Sequence, residues 1–182
     1  AGTVVEHLVS TTDISATVLS LAGAKIPDYM TSRPLIGIEQ PEYRQYVRSA
    51  RDIWDEIDEC SRSITTADFK YIRNHMPEVP WATDQAYLEI NRPALHVMRR
   101  LKQKGKMSVR ELTFFADQKP IEELYDLGKD PEELSNLAEN SEYAPVLKTM
   151  RAHEAEWQME NHDLGLADLG RRKPEKWLAA ER

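Results

Sequence analysis

The chain has 182 residues, 41% hydrophobic and 30% charged, with a formal net charge of −7. That balance fits a globular fold with a real core rather than a disordered tail, and the acidic surplus argues against nucleic acid as a partner. No apolar run approaches the roughly 20 residues that span a bilayer, so no membrane is expected, and a single cysteine, Cys60, rules out an internal disulfide or a cysteine-based zinc site.

In chain order, STTDISATVLSLAG reads as a helix from Asp13 to Ala22, opened by capping residues and stopped at Gly23. Ile14, Val18, Leu21 and Ala22 share one of its faces. AKIPDYMTSRPLIG has two prolines and no period, and reads as a loop held by Ile26 and Leu35. QYVRSARD starts as a strand. SRSITTADFKYIRNHM reads as two short strands around a turn at Thr66–Asp68. PEVPWATD is an irregular connector. NRPALHVMRRLKQKG reads as a helix with Asn91 as cap, Pro93 early and Gly105 as stop. The basic run from Arg99 to Arg110 reads as its solvated C-terminal end, and Ser108 with Glu111 forms a capping-box pattern.

Ile121, Leu124 and Tyr125 suit a short strand. After it, Asp130 as cap, Pro131 at the first position and Glu133 at the third predict a helix whose Leu134 and Leu137 pack inward. A further helix is expected from about Ser141, with Val146, Leu147, Met150 and Trp157 at helical spacing. The composite is α+β: a few antiparallel strands with helices on one side. The core is thin for so many elements, which points to a partner surface elsewhere.

The corner ELYDLGKDPEELSNLA resembles the C-terminal signature of the sulfatases, in which a strand bearing E-L-Y-D leads into D-P-x-E-x-x-N-L-A. VVEHLVSTTDISATVLSLAGAKIP is similar to the stretch that ends the family's large subdomain, with Ala16 where members often have proline. SRPLIG is similar to the G-x-S-L segment, with Arg33 and Pro34 as departures, and FKYIRN to a strand of the smaller sheet. TMRAHEAEWQMENHD narrows the likeness to sulfamidase-like members. The resemblance covers about residues 4 to 163.

It implies the end of an alkaline-phosphatase-like α/β domain over residues 1–45, a C-terminal subdomain with a small antiparallel sheet and packed helices over 46–162, and an extension over 163–182. It implies a hydrolase of sulfate esters or sulfamates, with a sulfated sugar as substrate and a periplasmic, secreted or lysosomal address. It implies a formylglycine made from the cysteine of C-x-P-S-R, and a calcium held by Asp and Asn side chains. Neither motif is in this chain, so both are expected in an N-terminal portion, the implied partner of this one. No catalytic residue and no metal ligand is assigned here, and the chain alone is expected to be inactive. Cys60 does not fit, because Arg62 and Ile64 stand where the motif needs Pro and Arg; a half-buried or exposed strand-edge thiol is expected. The alternative is a non-catalytic binding module that retains the fold.

The residues left to touch a substrate lie in RDIWDEIDE, which packs five carboxylates and one arginine between Arg51 and Glu59. The family strand equivalent to YVRSA leads toward the pocket mouth. Arg51 could clamp a carboxylate or sulfate with two bonds, and Asp52, Asp55 and Glu56 could accept sugar hydroxyls; a solvated acidic loop is the alternative. Trp81, in a proline-rich loop, is a candidate stacking surface for a sugar, with Trp157 read as core. None of the five histidines pairs at metal-ligand spacing, and a surface or packing role is expected for each.

Overall fold

The computed structural model describes residues 2, 4, 6–36 and 44–167. Gly37 at the end of the SRPLIG stretch, and residues 168–182 of the expected extension, lie outside them. The described elements are α1 (Asp13–Leu21), β1 (Val47–Arg51), β2 (Ser61–Thr65), β3 (Phe69–Asn74), α2 (Ala86–Asn91), α3 (Pro93–Gln103), α4 (Val109–Leu112), β4 (Glu122–Asp126) and α5 (Ala144–Glu160). Short 3-10 turns follow α4 and precede α5.

The four strands form one antiparallel sheet in the order β1-β2-β3-β4. β2 and β3 make the expected hairpin. Thr66 closes it, its hydroxyl accepting from the Phe69 amide at 2.9 Å. The register sets Ile64 opposite Tyr71, and Tyr71 opposite Leu124, so these three share one face. α5 lays Leu147 and Met150 on that face, and the five residues are the buried core. Phe69 and Tyr143 extend it by an edge-to-face contact at 6.2 Å. Burying residues of this kind contributes about 1.5–3 kcal/mol each.

The capping box at Ser108 and Glu111 is formed, and starts α4. Gly23 and Gly105 sit at positive φ after α1 and α3, the left-handed stops their sequences predict. Asn91 does not cap α3; it ends α2, and Arg92 precedes Pro93 as the junction.

The predicted helix after Asp130 does not form. Glu133 takes φ 56°, which breaks a right-handed run. The Asp130 carboxylate instead accepts from the amides of Leu134 and Ser135, each at 2.7 Å, and organises a turn. Beyond it, Asn136 covers the free edge of β4: its Oδ1 accepts from the Leu124 amide at 2.9 Å and its Nδ2 donates to the Glu122 carbonyl at 2.9 Å. The Leu137 amide adds a bond to the Leu124 carbonyl at 2.8 Å. A side-chain amide thus stands where another strand would pair. Leu137 packs against the core as expected, while Leu134 is largely exposed.

α1 is anchored through a charge. Asp13, fully buried, accepts from the Ser10 amide at 2.8 Å and the Arg33 amide at 2.9 Å, and Arg44 grips it with two bonds. Burial alone would raise this carboxyl, but the Arg44 guanidinium and the two amides outweigh it and hold it below the ordinary range. The stripe of Ile14, Val18 and Leu21 is exposed; Ala16 and Asp13 face inward instead.

Candidate functional site

The sheet face away from α5 is polar, and it floors a cavity of about 780 Å3. β1 contributes Arg51, β3 contributes Asn74, and β4 contributes Glu123 and Tyr125. The walls come from the connector and α4, with Trp81, Val109 and Phe114 among them, and from the turn at Glu132–Leu134. The expected one-sided helices therefore hold for α5 only, since α4 borders the other face.

The floor is a buried hydrogen-bonded network. Glu123 accepts from Asn74 Nδ2 at 2.6 Å and from the Tyr125 hydroxyl at 2.5 Å. Burial, and then the bond to Glu123, push the Tyr125 phenol well above its ordinary value, so it stays a neutral donor. Beside it, Lys119 and Glu59 form an ion pair whose side chains are 2% and 3% exposed. Glu59 also accepts from the Cys60 amide at 3.0 Å. Partners so far from water are costly to separate. They fix the floor and leave recognition to the rim, where Arg51 and Val109 are exposed and Trp81 is half-buried.

Arg51 stands at that rim with its guanidinium carbon 5.3 Å from the centre of the Trp54 ring, a cation–π arrangement that orients the fork. Among the described residues no carboxylate is ion-paired to it. The other three expected site residues turn elsewhere. Asp52 takes Nη1 of Arg62 at 2.8 Å. Asp55, at φ 51°, accepts from Gln85 Nε2 at 2.8 Å. Glu56 accepts from the Ala86 amide at 2.6 Å, which lowers its carboxyl below the usual range. The acidic stretch is thus fastened to the start of α2, and of the four residues only Arg51 lines this cavity.

An ulvan-active sulfatase of Formosa agariphila is 36% identical to this chain over 151 residues, which is 83% of this chain and 25% of that protein. The chain belongs to the sulfatase family, to its C-terminal region. N-sulphoglucosamine sulphohydrolase of Homo sapiens is 46% identical over 41 residues, 22% of this chain and 8% of that protein. A solved 2-O GAG sulfatase shares the fold with a TM-score of 0.59 at 22% identity, over 94% of this chain and 28% of its own. No protein-family model matches. The sulfatase region described here spans about a quarter of the length of the first of these relatives.

The residues of this sulfatase region do not fit the family's two reactive groups. Cys60 is fully buried rather than half-buried or exposed at a strand edge, and burial pushes its thiol up, away from a reactive thiolate. Among the described residues no group of three or more His, Cys, Asp and Glu side chains could hold a metal ion. No helix of the described residues is long and apolar enough to cross a membrane. His75 is half-buried, with Nε2 3.5 Å from Glu154 on α5, and so lies on the core face and not at the cavity. Trp157 is half-buried near Arg48 rather than in the core. The sequence offered no signal for the Glu59–Lys119 pair, which is joined across 60 residues, and only the E-L-Y-D of β4 hinted at Glu123 and Tyr125.

Proposed function

We propose that this chain forms the substrate-reading part of a sulfatase that hydrolyses sulfate esters or sulfamates on a sugar of a sulfated glycan. The match over most of the chain to an ulvan-active sulfatase carries the reading. The open cavity on the polar face supports it: a buried, hydrogen-bonded floor beneath an exposed arginine and a tryptophan is suited to hold a sugar. In this reading Arg51 contacts the sugar, and Asp52, Asp55 and Glu56 hold the loop that aims it. Trp81 offers a stacking surface.

Formylglycine as nucleophile and calcium as its electrostatic partner would come from sequence outside this chain, and no step of the chemistry runs through the residues here. The same reading carries the extracellular or lysosomal setting of sulfatases to this protein. The test is sulfate release. A protein joining this chain to an upstream C-x-P-S-R stretch should release inorganic sulfate from a sulfated oligosaccharide, and the chain alone should not. Release by the chain alone, above a heat-killed control, would contradict the division of labour. No release by the joined protein from any sulfated sugar would leave a non-catalytic binding module as the function.

A further inference from the structure

A second cavity, of about 650 Å3, lies where the N-terminal segment meets β1 and the end of α5. Its charge differs from that of the first. Arg33, Arg44 and Arg48 line it with no carboxylate among the described lining residues, whereas four glutamates line the first cavity. Two of these arginines have carboxylates at their backs, Asp13 at Arg44 and Glu160 at Arg48.

The arginines are not equivalent. Arg44 is engaged with buried Asp13, Nη1 to Oδ2 at 2.5 Å and Nη2 to Oδ1 at 2.6 Å. Arg48 has unused capacity. Its Nη2 donates to the Tyr46 hydroxyl at 2.9 Å and stands 3.6 Å from Glu160, but its Nε is buried with no hydrogen-bond partner. A buried guanidinium N–H without an acceptor is a cost the fold carries unless something accepts from it. The fork is also held in place, its central carbon 4.8 Å from the Tyr46 ring centre and 5.9 Å from that of Trp157. A planar fork held in one orientation, with charge around it, matches a tetrahedral oxyanion. Thr31 and Asn161 add neutral polar groups beside it.

We propose that this cavity is a second saccharide-binding site, which receives a sulfate group of a sulfated oligosaccharide through Arg48. The choice of sulfate on a sugar rests on the reading of the chain as part of a glycan-acting sulfatase; the anion site itself rests on Arg48. A contact made away from the reacting bond is the same in ground and transition states, so it holds long substrates without altering the chemical step.

The test is calorimetric titration of the full 182-residue chain, carrying Arg51→Ala so that the first cavity does not contribute, with a heparin tetrasaccharide and with its desulfated form. The sulfated form should bind, more weakly as salt rises, and the desulfated form should not. Thr31→Glu adds a carboxylate to the lining and removes no side-chain hydrogen bond among the described residues. It should leave the unfolding midpoint unchanged and weaken binding about tenfold, the scale of one charge-assisted contact. Arg48→Gln should weaken binding as much. Inorganic sulfate should compete for the site. Absence of binding, equal binding of the desulfated form, or unchanged affinity in Thr31→Glu would overturn the proposal. Hydrolysis is not read, so failure of the catalytic reading would show separately, in the sulfate-release assay.

Discussion

Arg62 on β2 holds Asp163, 101 residues away, in a two-pronged ion pair: Nε to Oδ2 at 2.5 Å and Nη2 to Oδ1 at 2.9 Å. The third nitrogen of the same guanidinium reaches Asp52 at 2.8 Å. One side chain, 3% exposed, thereby joins the loop after β1, the centre of the sheet and the segment that leaves α5. The Arg62 fork holds the Asp163 carboxyl below its ordinary range, overcoming the opposing effect of burial.

Arg62→Met should therefore destabilise the fold strongly. It would remove the cation that Asp52 and Asp163 share, and breaking a buried pair from one side costs about 3–5 kcal/mol. Urea unfolding should show a midpoint shifted well down. A midpoint within error of the parent would mean that the network contributes nothing to stability.

Acid should weaken the fold through Glu122. Its bonds to Arg151, which outweigh burial, together with the Tyr71 hydroxyl, take its carboxyl from 4.5 to about 2. A carboxyl depressed in the folded state binds its proton more tightly when unfolded. Its stabilising contribution is thus present above pH 4.5 and is lost as pH falls toward about 2. Melting temperature measured across that window should fall less steeply for Glu122→Gln than for the parent; parallel curves would reject the assignment.

Asn136→Ala should uncover the edge of β4. The loss of its bonds to Leu124 and Glu122 should cost about 1–3 kcal/mol, and the bared strand should promote self-association. Light scattering beside a denaturant titration reads both. Asp130→Ala, which frees the amides of Leu134 and Ser135 at an exposed turn, should lower the midpoint by less, about 1 kcal/mol, with an unchanged slope.

These two residues also mark the limit of what the sequence revealed. Alternation in SRSIT and FKYIRN exposed the hairpin, the spacing of Leu147 and Met150 exposed α5, and Ser108 with Glu111 exposed the start of α4, because each signal acts within a few residues. Asp130-Pro131 followed by Glu133 is the same kind of signal, yet the bonds of Asn136 to β4 hold the segment in a turn, a tertiary contact that overrides local preference. Arg51 ends β1 and lines the first cavity, and the sequence pointed to it only through the resemblance of YVRSA to a family strand. The floor was not legible: Glu59 meets Lys119 across 60 residues and Asn74 meets Glu123 across 49, and only the strand register brings them together.

The most direct test of the substrate-reading role compares Arg51→Ala with the parent, in a protein that joins this chain to the nucleophile-bearing portion, on a sulfated disaccharide and on a small aryl sulfate. A contact with the sugar alone is made in ground and transition states alike, so its loss should raise KM more than it lowers kcat. For the disaccharide kcat/KM should fall about tenfold to a hundredfold, the worth of one charge-assisted hydrogen bond, while the aryl sulfate is spared. Equal losses on both substrates, or kinetics unchanged on both, would contradict the substrate-reading role.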